Sequence, residues 1–214
     1  MFLFDMDGTL IDSNSIWREV DRAFLARRGL PYTHAYYEGV AHTIFPLAAK
    51  FTKEFCSLPD SCEDIMAEWM VLAEGLYAKV PVKPGVRAYL RQCRAEGRRL
   101  AVVTSSVPEH CRTALEHLDL LKYFDRITFA QELALEKKDP QVWLAAARDN
   151  GTAPEDCTVF DDSIAACRGA RGARMRVVGV YDDFFAGDEA QMRSFCDVYI
   201  RSFAELLLPE KSRR

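Results

Sequence analysis

The chain has no apolar run approaching the roughly 18 residues that a membrane-spanning helix needs, and no basic flank or long apolar stretch accompanies its opening Phe2-Leu3-Phe4. Cysteine occurs seven times but never as Cys-x-x-Cys, and the positions (Cys56, Cys62, Cys93, Cys111, Cys157, Cys167, Cys196) are scattered and odd in number. A disulfide framework and a zinc site are thereby disfavoured, and the thiols are expected to be reduced, mostly buried small hydrophobes. A surplus of positive charge is also missing: 28 Lys and Arg against 32 Asp and Glu give a net charge of -4. Long-range attraction for nucleic acid or an anionic membrane is therefore absent, and an anionic substrate must be captured by local groups. Internal repeats and low-complexity segments are lacking too. The expectation is a soluble cytoplasmic protein, by default a monomer.

What is present is ordinary globular composition, 49% hydrophobic and 28% charged over 214 residues. That length exceeds one typical domain without reaching two, so one core carrying an insertion is expected. Valine-rich runs at Leu100–Thr104, Cys157–Asp161 and Met175–Val180 read as strands covered on both faces. Asp125–Phe129 and Asp197–Ile200 are weaker candidates. Helical patterns alternate with them: Pro84–Gly97 starts at proline and stops at glycine, and Pro108–Leu118 and Pro140–Asn150 repeat the form. Strand and helix in this rhythm predict an α/β fold, a parallel Rossmann-like sheet with helices on both faces. The stretch 13–79 breaks the rhythm. It holds helical patterns at Ile16–Arg28 and Asp64–Ala78, joined by aromatic and small-residue connections, without a convincing strand. We expect residues 1–12 and 80–214 to form the core and 13–79 an all-helical cap inserted after the first strand, a lid by position.

In an open parallel sheet, ligands bind beyond the carboxyl ends of the strands. The first strand delivers Asp5-Met-Asp7 and the next Thr104-Ser105-Ser106. Lys137-Lys138 follow the third, and Asp161-Asp162-Ser163 leave the fourth. Carboxylates gathered in a small volume repel one another and take up protons unless a cation sits among them. A few hard oxygen ligands suit Mg²⁺, while the amine and hydroxyls can neutralise and orient phosphoryl oxygens. The simplest chemical reading is a phosphate site.

The motifs Asp5-Met-Asp7-Gly8-Thr9-Leu10, Val103-Thr104-Ser105, Lys137 with Pro140, and Phe160-Asp161-Asp162-Ser163 together resemble the haloacid dehalogenase-like hydrolases. Within that superfamily the chain looks like the phosphoglycolate phosphatase and beta-phosphoglucomutase branch, whose helical cap follows the first motif. The resemblance implies a Mg²⁺-dependent phosphatase of small phosphomonoesters working through an aspartyl-phosphate. Asp5 would be the nucleophile and Asp7 the acid and base. Thr104 and Ser105 would hold the phosphoryl group and Lys137 offset its charge. Asp5, the Asp7 carbonyl and Asp162 would bind the metal, with Asp161 nearby or acting through water. On an extended strand Asp5 and Asp7 point the same way, so both can reach one phosphoryl group.

Two positions depart from the pattern. Lys-Pro-x-Pro is replaced by Lys137-Lys138-Asp139-Pro140, and counting back from Pro140 selects Lys137 over Lys138. Ala-Gly-Met is replaced by Ala173-Arg174-Met175, so the preceding helix is expected to stop at Gly172. Thr104 as a helix N-cap and Asp161-Asp162 as a capping pair are the structural alternatives. Asp182-Asp183 is expected in a solvated rim loop, His42 as a structural or exposed histidine of the cap, and Lys50 and Lys53 on a solvated helix face of the cap. Arg168, Arg171 and Arg174 are expected along an exposed helix face. Dehalogenase and phosphonatase chemistry is disfavoured by Asp7. A mutase is disfavoured by Trp17, which stands twelve residues after Asp5 where beta-phosphoglucomutases typically carry histidine. A non-catalytic phospho-ligand binder has no use for Asp7 as an acid.

Overall fold

The computed structural model describes residues 1–41, 43–77 and 80–208. Six strands form one all-parallel sheet in the order β3-β2-β1-β4-β5-β6. These are β1 (Phe2–Phe4), β2 (Leu100–Thr104), β3 (Arg126–Phe129), β4 (Thr158–Asp161), β5 (Arg176–Val180) and β6 (Val198–Ile200). β1 therefore lies between β2 and β4, where the direction of winding reverses and a crevice opens at the strand ends. Phe4 aligns with Val102 on one side and Phe160 on the other, and its ring stacks on Phe160 with centroids 4.5 Å apart. Both residues are buried, which anchors the central strands just before their functional ends.

Helices α1 (Asn14–Arg27), α2 (His34–Val40), α3 (Phe45–Cys56) and α4 (Cys62–Tyr77) follow β1. The stretch between Tyr32 and Phe55 is thus mostly helical. Thr33 caps α2 by accepting from the Tyr36 amide at 3.1 Å. α1 and α4 pack through Phe24 and Trp69, whose rings meet edge to face at 5.7 Å. The chain leaves and returns along one path: the Asp12 amide donates to the Pro81 carbonyl and the Lys83 amide to the Leu10 carbonyl, each at 3.0 Å. Beyond this junction come α5 (Val86–Ala95), α6 (Pro108–His117), α7 (Pro140–Asp149), α8 (Ile164–Gly172) and α9 (Glu189–Phe195). No described helix is long and apolar enough to cross a membrane.

Helix α8 ends at Gly172 as expected, but the left-handed residue that closes it is Arg174, at φ 62°. The Met175 amide donates to the Ala170 carbonyl and the Arg174 amide to the Arg171 carbonyl, the double bond pattern of a Schellman cap. A side chain in that conformation costs roughly 1 kcal/mol that glycine avoids. Arg174→Gly should accordingly raise unfolding stability by about 0.5–1 kcal/mol, read as a higher urea midpoint at unchanged slope. The exposed ion pair of Arg174 with Glu155 offsets little of that gain.

Candidate active site

Asp5 follows β1 directly and is 3% exposed. Its amide donates to the Phe160 carbonyl at 2.9 Å, fixing the turn, and its Oδ1 accepts from Lys137 Nζ at 2.5 Å. The same ammonium donates to Asp161 Oδ2 at 2.8 Å. Lys138 instead is 63% exposed and pairs with Glu136, so the buried lysine is Lys137. Its position is set from two sides. Trp143 Nε1 donates to the Lys137 carbonyl at 2.8 Å, and α8 approaches so closely that a Cβ on Gly169 would lie 2.2 Å from that carbonyl oxygen.

Gly8 turns the chain away from β1 at φ 83°, and a Cβ there would collide with Asn14 and Asp162. Glycine thereby lets Asp162 come up against the first loop. Asp162 Oδ1 accepts from Thr9 Oγ1 at 3.1 Å and Oδ2 from Asn14 Nδ2 at 2.8 Å. Asp7 is held at both carboxylate oxygens, Oδ1 by Ser13 Oγ at 2.5 Å and Oδ2 by Ser106 Oγ. Thr104 Oγ1 accepts from the Ser106 amide at 3.0 Å and shapes the turn before α6. That helix takes Val107 as its N-cap, so Thr104 is no cap. Asp161 Oδ1 accepts from the Ser163 amide, which braces the start of α8 and leaves its other oxygen for Lys137.

Carboxylate oxygens of Asp5, Asp161 and Asp162 all lie within 4.8 Å of one another. Burial, with opposition from Lys137 and added repulsion from Asp161 and Asp7, pushes Asp5 up to about 7. Asp162 is raised by burial and then by Asp5, Asp161 and Asp182. Burial alone would lower Lys137, but Asp161 and Asp5 outweigh it and hold the ammonium above its usual range. Asp5 Oδ2 is buried without a hydrogen-bond partner. An orphaned buried oxygen, three carboxylates and one cationic side chain together fit a hard divalent cation. Asp5, Asp7, Thr104, Ser105, Lys137 and Asp162 all line one cavity of about 200 Å³. Its opposite wall comes from α1–α4 and the segment after β5, including Trp17, Tyr37, Trp69 and Phe184.

Lys50 is exposed beside Glu54, while Lys53 donates to the Asp60 carbonyl; neither lines the cavity. His42 lies outside the described residues. Arg168 and Arg174 are exposed and Arg171 half-buried. All seven cysteines are free. Asp183 is exposed, but Asp182 is no rim residue. It is buried, with Oδ2 accepting from Lys83 Nζ at 2.7 Å and Oδ1 from Asn14 Nδ2 at 3.2 Å. Lys83 Nζ also donates to the Gly8 and Tyr181 carbonyls. Asn14 thus bridges Asp162 to a second buried ion pair, for which the sequence offered only a lysine and an aspartate 99 positions apart.

The family of haloacid dehalogenase-like hydrolases matches residues 1–174. The chain is similar to the phosphorylated carbohydrates phosphatase of Thermotoga maritima, 28% identical over 180 residues and 83% of each protein. It is likewise similar to the phosphoglycolate phosphatase of Nitrosospira multiformis, 29% identical over 217 residues, 95% of this chain and 92% of that one. Among solved structures, one of a beta-phosphoglucomutase described as putative, from Thermotoga maritima, superposes with TM-score 0.74 at 25% identity, covering 96% of this chain and 95% of that one.

Two outcomes follow from the buried charges. Lys83 and Asp182 side chains are 11% and 4% exposed, so Lys83→Met, which strands the carboxylate, should cost about 3–5 kcal/mol of stability. Lys83→Met combined with Asp182→Leu should recover part of that loss, both read by urea unfolding. The second concerns Asp21, buried on α1, whose pKa burial raises to about 7 against a smaller opposing effect of its Tyr36 hydrogen bond. The folded state favours protonated Asp21, so its contribution is fully present below the unfolded value near 4 and is lost as pH rises through about 7. Relative to Asp21→Asn, the native chain should lose on the order of 2–4 kcal/mol between pH 4 and pH 8, measured from unfolding curves at both pH values.

Proposed function

The chain belongs to the haloacid dehalogenase-like hydrolases, and on that premise we propose that it is a Mg²⁺-dependent phosphatase that hydrolyses a small phosphomonoester through a phosphorylated Asp5. Its enzyme class, a phosphoric monoester hydrolase, is that of the relatives to which it is similar. The observation that carries the reading is the meeting of Asp5, Asp7, Thr104, Lys137 and Asp162 in one cavity. In this reading the described residues within 13–79 act as a cap over that cavity, and those within 1–12 and 80–214 form the core.

A Mg²⁺ ion held by Asp5, Asp162 and the Asp7 carbonyl, with Asp161 beside it, would supply charge neutralisation for the carboxylates and the phosphoryl oxygens. In the first step an Asp5 oxygen bonds to phosphorus as the ester P–O bond breaks, and Asp7 gives its proton to the departing alkoxide. In the second, water bonds to phosphorus, Asp7 takes its proton and the Asp5–phosphorus bond breaks. Ser13 and Ser106 hold the Asp7 carboxyl in place through both steps. Lys137, already bonded to Asp5, balances charge as the phosphoryl group transfers, and Thr104 and Ser105 bind its oxygens. The cap limits access of bulk water to the phosphorylated aspartate.

The mutase alternative is not favoured: Trp17, at the position where beta-phosphoglucomutases typically carry histidine, packs its ring on Phe45 at 5.4 Å, and its indole does not exchange protons at neutral pH. The test is release of inorganic phosphate from a panel of small phosphomonoesters, with Mg²⁺ and with a chelator. Release should require the metal, and Asp5→Asn should lower kcat at least about a thousandfold with an unaltered circular dichroism spectrum. Undiminished turnover in that variant would remove Asp5 as nucleophile.

A further inference from the structure

Asp21 stands one helical turn beyond Trp17 on α1, and with Trp17 and Arg18 it lines the cavity. The surrounding wall is largely aromatic, from Tyr32, Tyr37, Phe45, Trp69 and Phe184. The residue is 9% exposed. Its Oδ1 accepts from the Tyr36 hydroxyl at 3.3 Å, a long bond, and no other hydrogen bond reaches the carboxylate among the described residues. Packing of the helices does not call for it. The Tyr36 hydroxyl already pairs with Thr52 Oγ1 at 2.9 Å, which joins α2 to α3 without help from α1. A carboxylate placed among aromatic rings with one weak partner costs stability. An acceptor left over at a cavity wall suits a ligand that brings the missing donors, because an analogue without them leaves the carboxylate unpaired.

The nature of the donor follows from the neighbouring charge. Arg18 is on the same wall, its guanidinium 4.5 Å from the Phe184 ring centroid and 5.8 Å from that of Tyr37. A permanent positive charge there disfavours an ammonium group and leaves neutral hydroxyls. The aromatic faces, in turn, suit the C–H surfaces of a carbon chain or ring that carries them. We propose that Asp21 is a specificity-determining residue whose carboxylate accepts hydrogen bonds from hydroxyls on the alcohol portion of the substrate, so that the preferred substrate is a polyhydroxylated phosphomonoester. This rests on the phosphatase reading and names the part of the substrate which that reading leaves open.

The test compares the full chain with Asp21→Asn and Asp21→Leu on a hexitol phosphate, hexyl phosphate and an amino-sugar phosphate, with folding checked by circular dichroism. The native chain should prefer the hexitol ester. The ratio of kcat/KM for hexitol phosphate over hexyl phosphate should fall about 10- to 100-fold in Asp21→Leu, mostly through KM. It should fall less in Asp21→Asn, whose amide oxygen still accepts. An equal ratio in all three proteins would overturn the assignment and make the carboxylate a packing residue. A loss confined to the amino-sugar ester would overturn it in favour of a cation-binding role. Should the native chain release phosphate from none of the esters, the phosphatase reading fails separately. Calorimetric binding of hexitol phosphate then decides, and equal affinity in the native chain and Asp21→Leu would overturn the role of Asp21.

Discussion

Three carboxylates and one ammonium group share a buried space at the end of β1. Asp5, Asp161 and Asp162 repel one another there, and Lys137 compensates only part of their charge. That imbalance organises the site. Burial, with the repulsion among the carboxylates, raises the proton affinity of Asp5 and Asp162, and the uncompensated negative charge creates a demand that a divalent cation would meet. The scaffold around it exists to hold like charges together. β1 and β4 are locked by the Phe4–Phe160 stack, and the lysine loop is clamped between Trp143 and the close approach of Gly169.

A second layer of charge ties this centre to the helices above it. Asn14, the first residue of α1, spans Asp162 and Asp182, while Lys83 joins Asp182 to the Gly8 carbonyl. The side chain that steadies Asp162 therefore belongs to the helix that also carries Trp17, Arg18 and Asp21 along the cavity. The carboxylate centre and the aromatic wall of the cavity are thus linked through one element.

The sheet was legible because fully buried parallel strands leave valine-rich runs and their helices carry proline starts. Leu100–Thr104 matches β2 at both ends. The motif residues at strand ends were legible for a chemical reason, since carboxylates are costly where apolar strands terminate. Helix α2 was not, because its stability comes from contacts made elsewhere. α2 has only seven residues, and its Gly39 lies so close to the Phe51 ring that a side chain has no room. Asp182 looked like one of two solvated acids because local pattern carries no trace of Lys83. Asp21 belongs to none of the sequence motifs, and only the fold turns that position toward the cavity. Lys137 and Lys138 were separable by counting, and burial gives the physical reason for the choice.

Hydrogen bonds between residues 10–12 and 81–83 have a consequence for how such a chain can diversify. The two strands of connection run side by side, so everything between them is a side branch whose ends meet at one point of the sheet. Lengthening, trimming or exchanging that branch leaves the distance to be bridged unchanged and alters closure entropy only slowly. Natural selection can accordingly rewrite what the cavity recognises while the strand ends beneath keep the same reaction. The joint itself is held by main-chain groups that any sequence supplies, and its side-chain demands, above all the Lys83 ammonium on Asp182, face the sheet and not the branch.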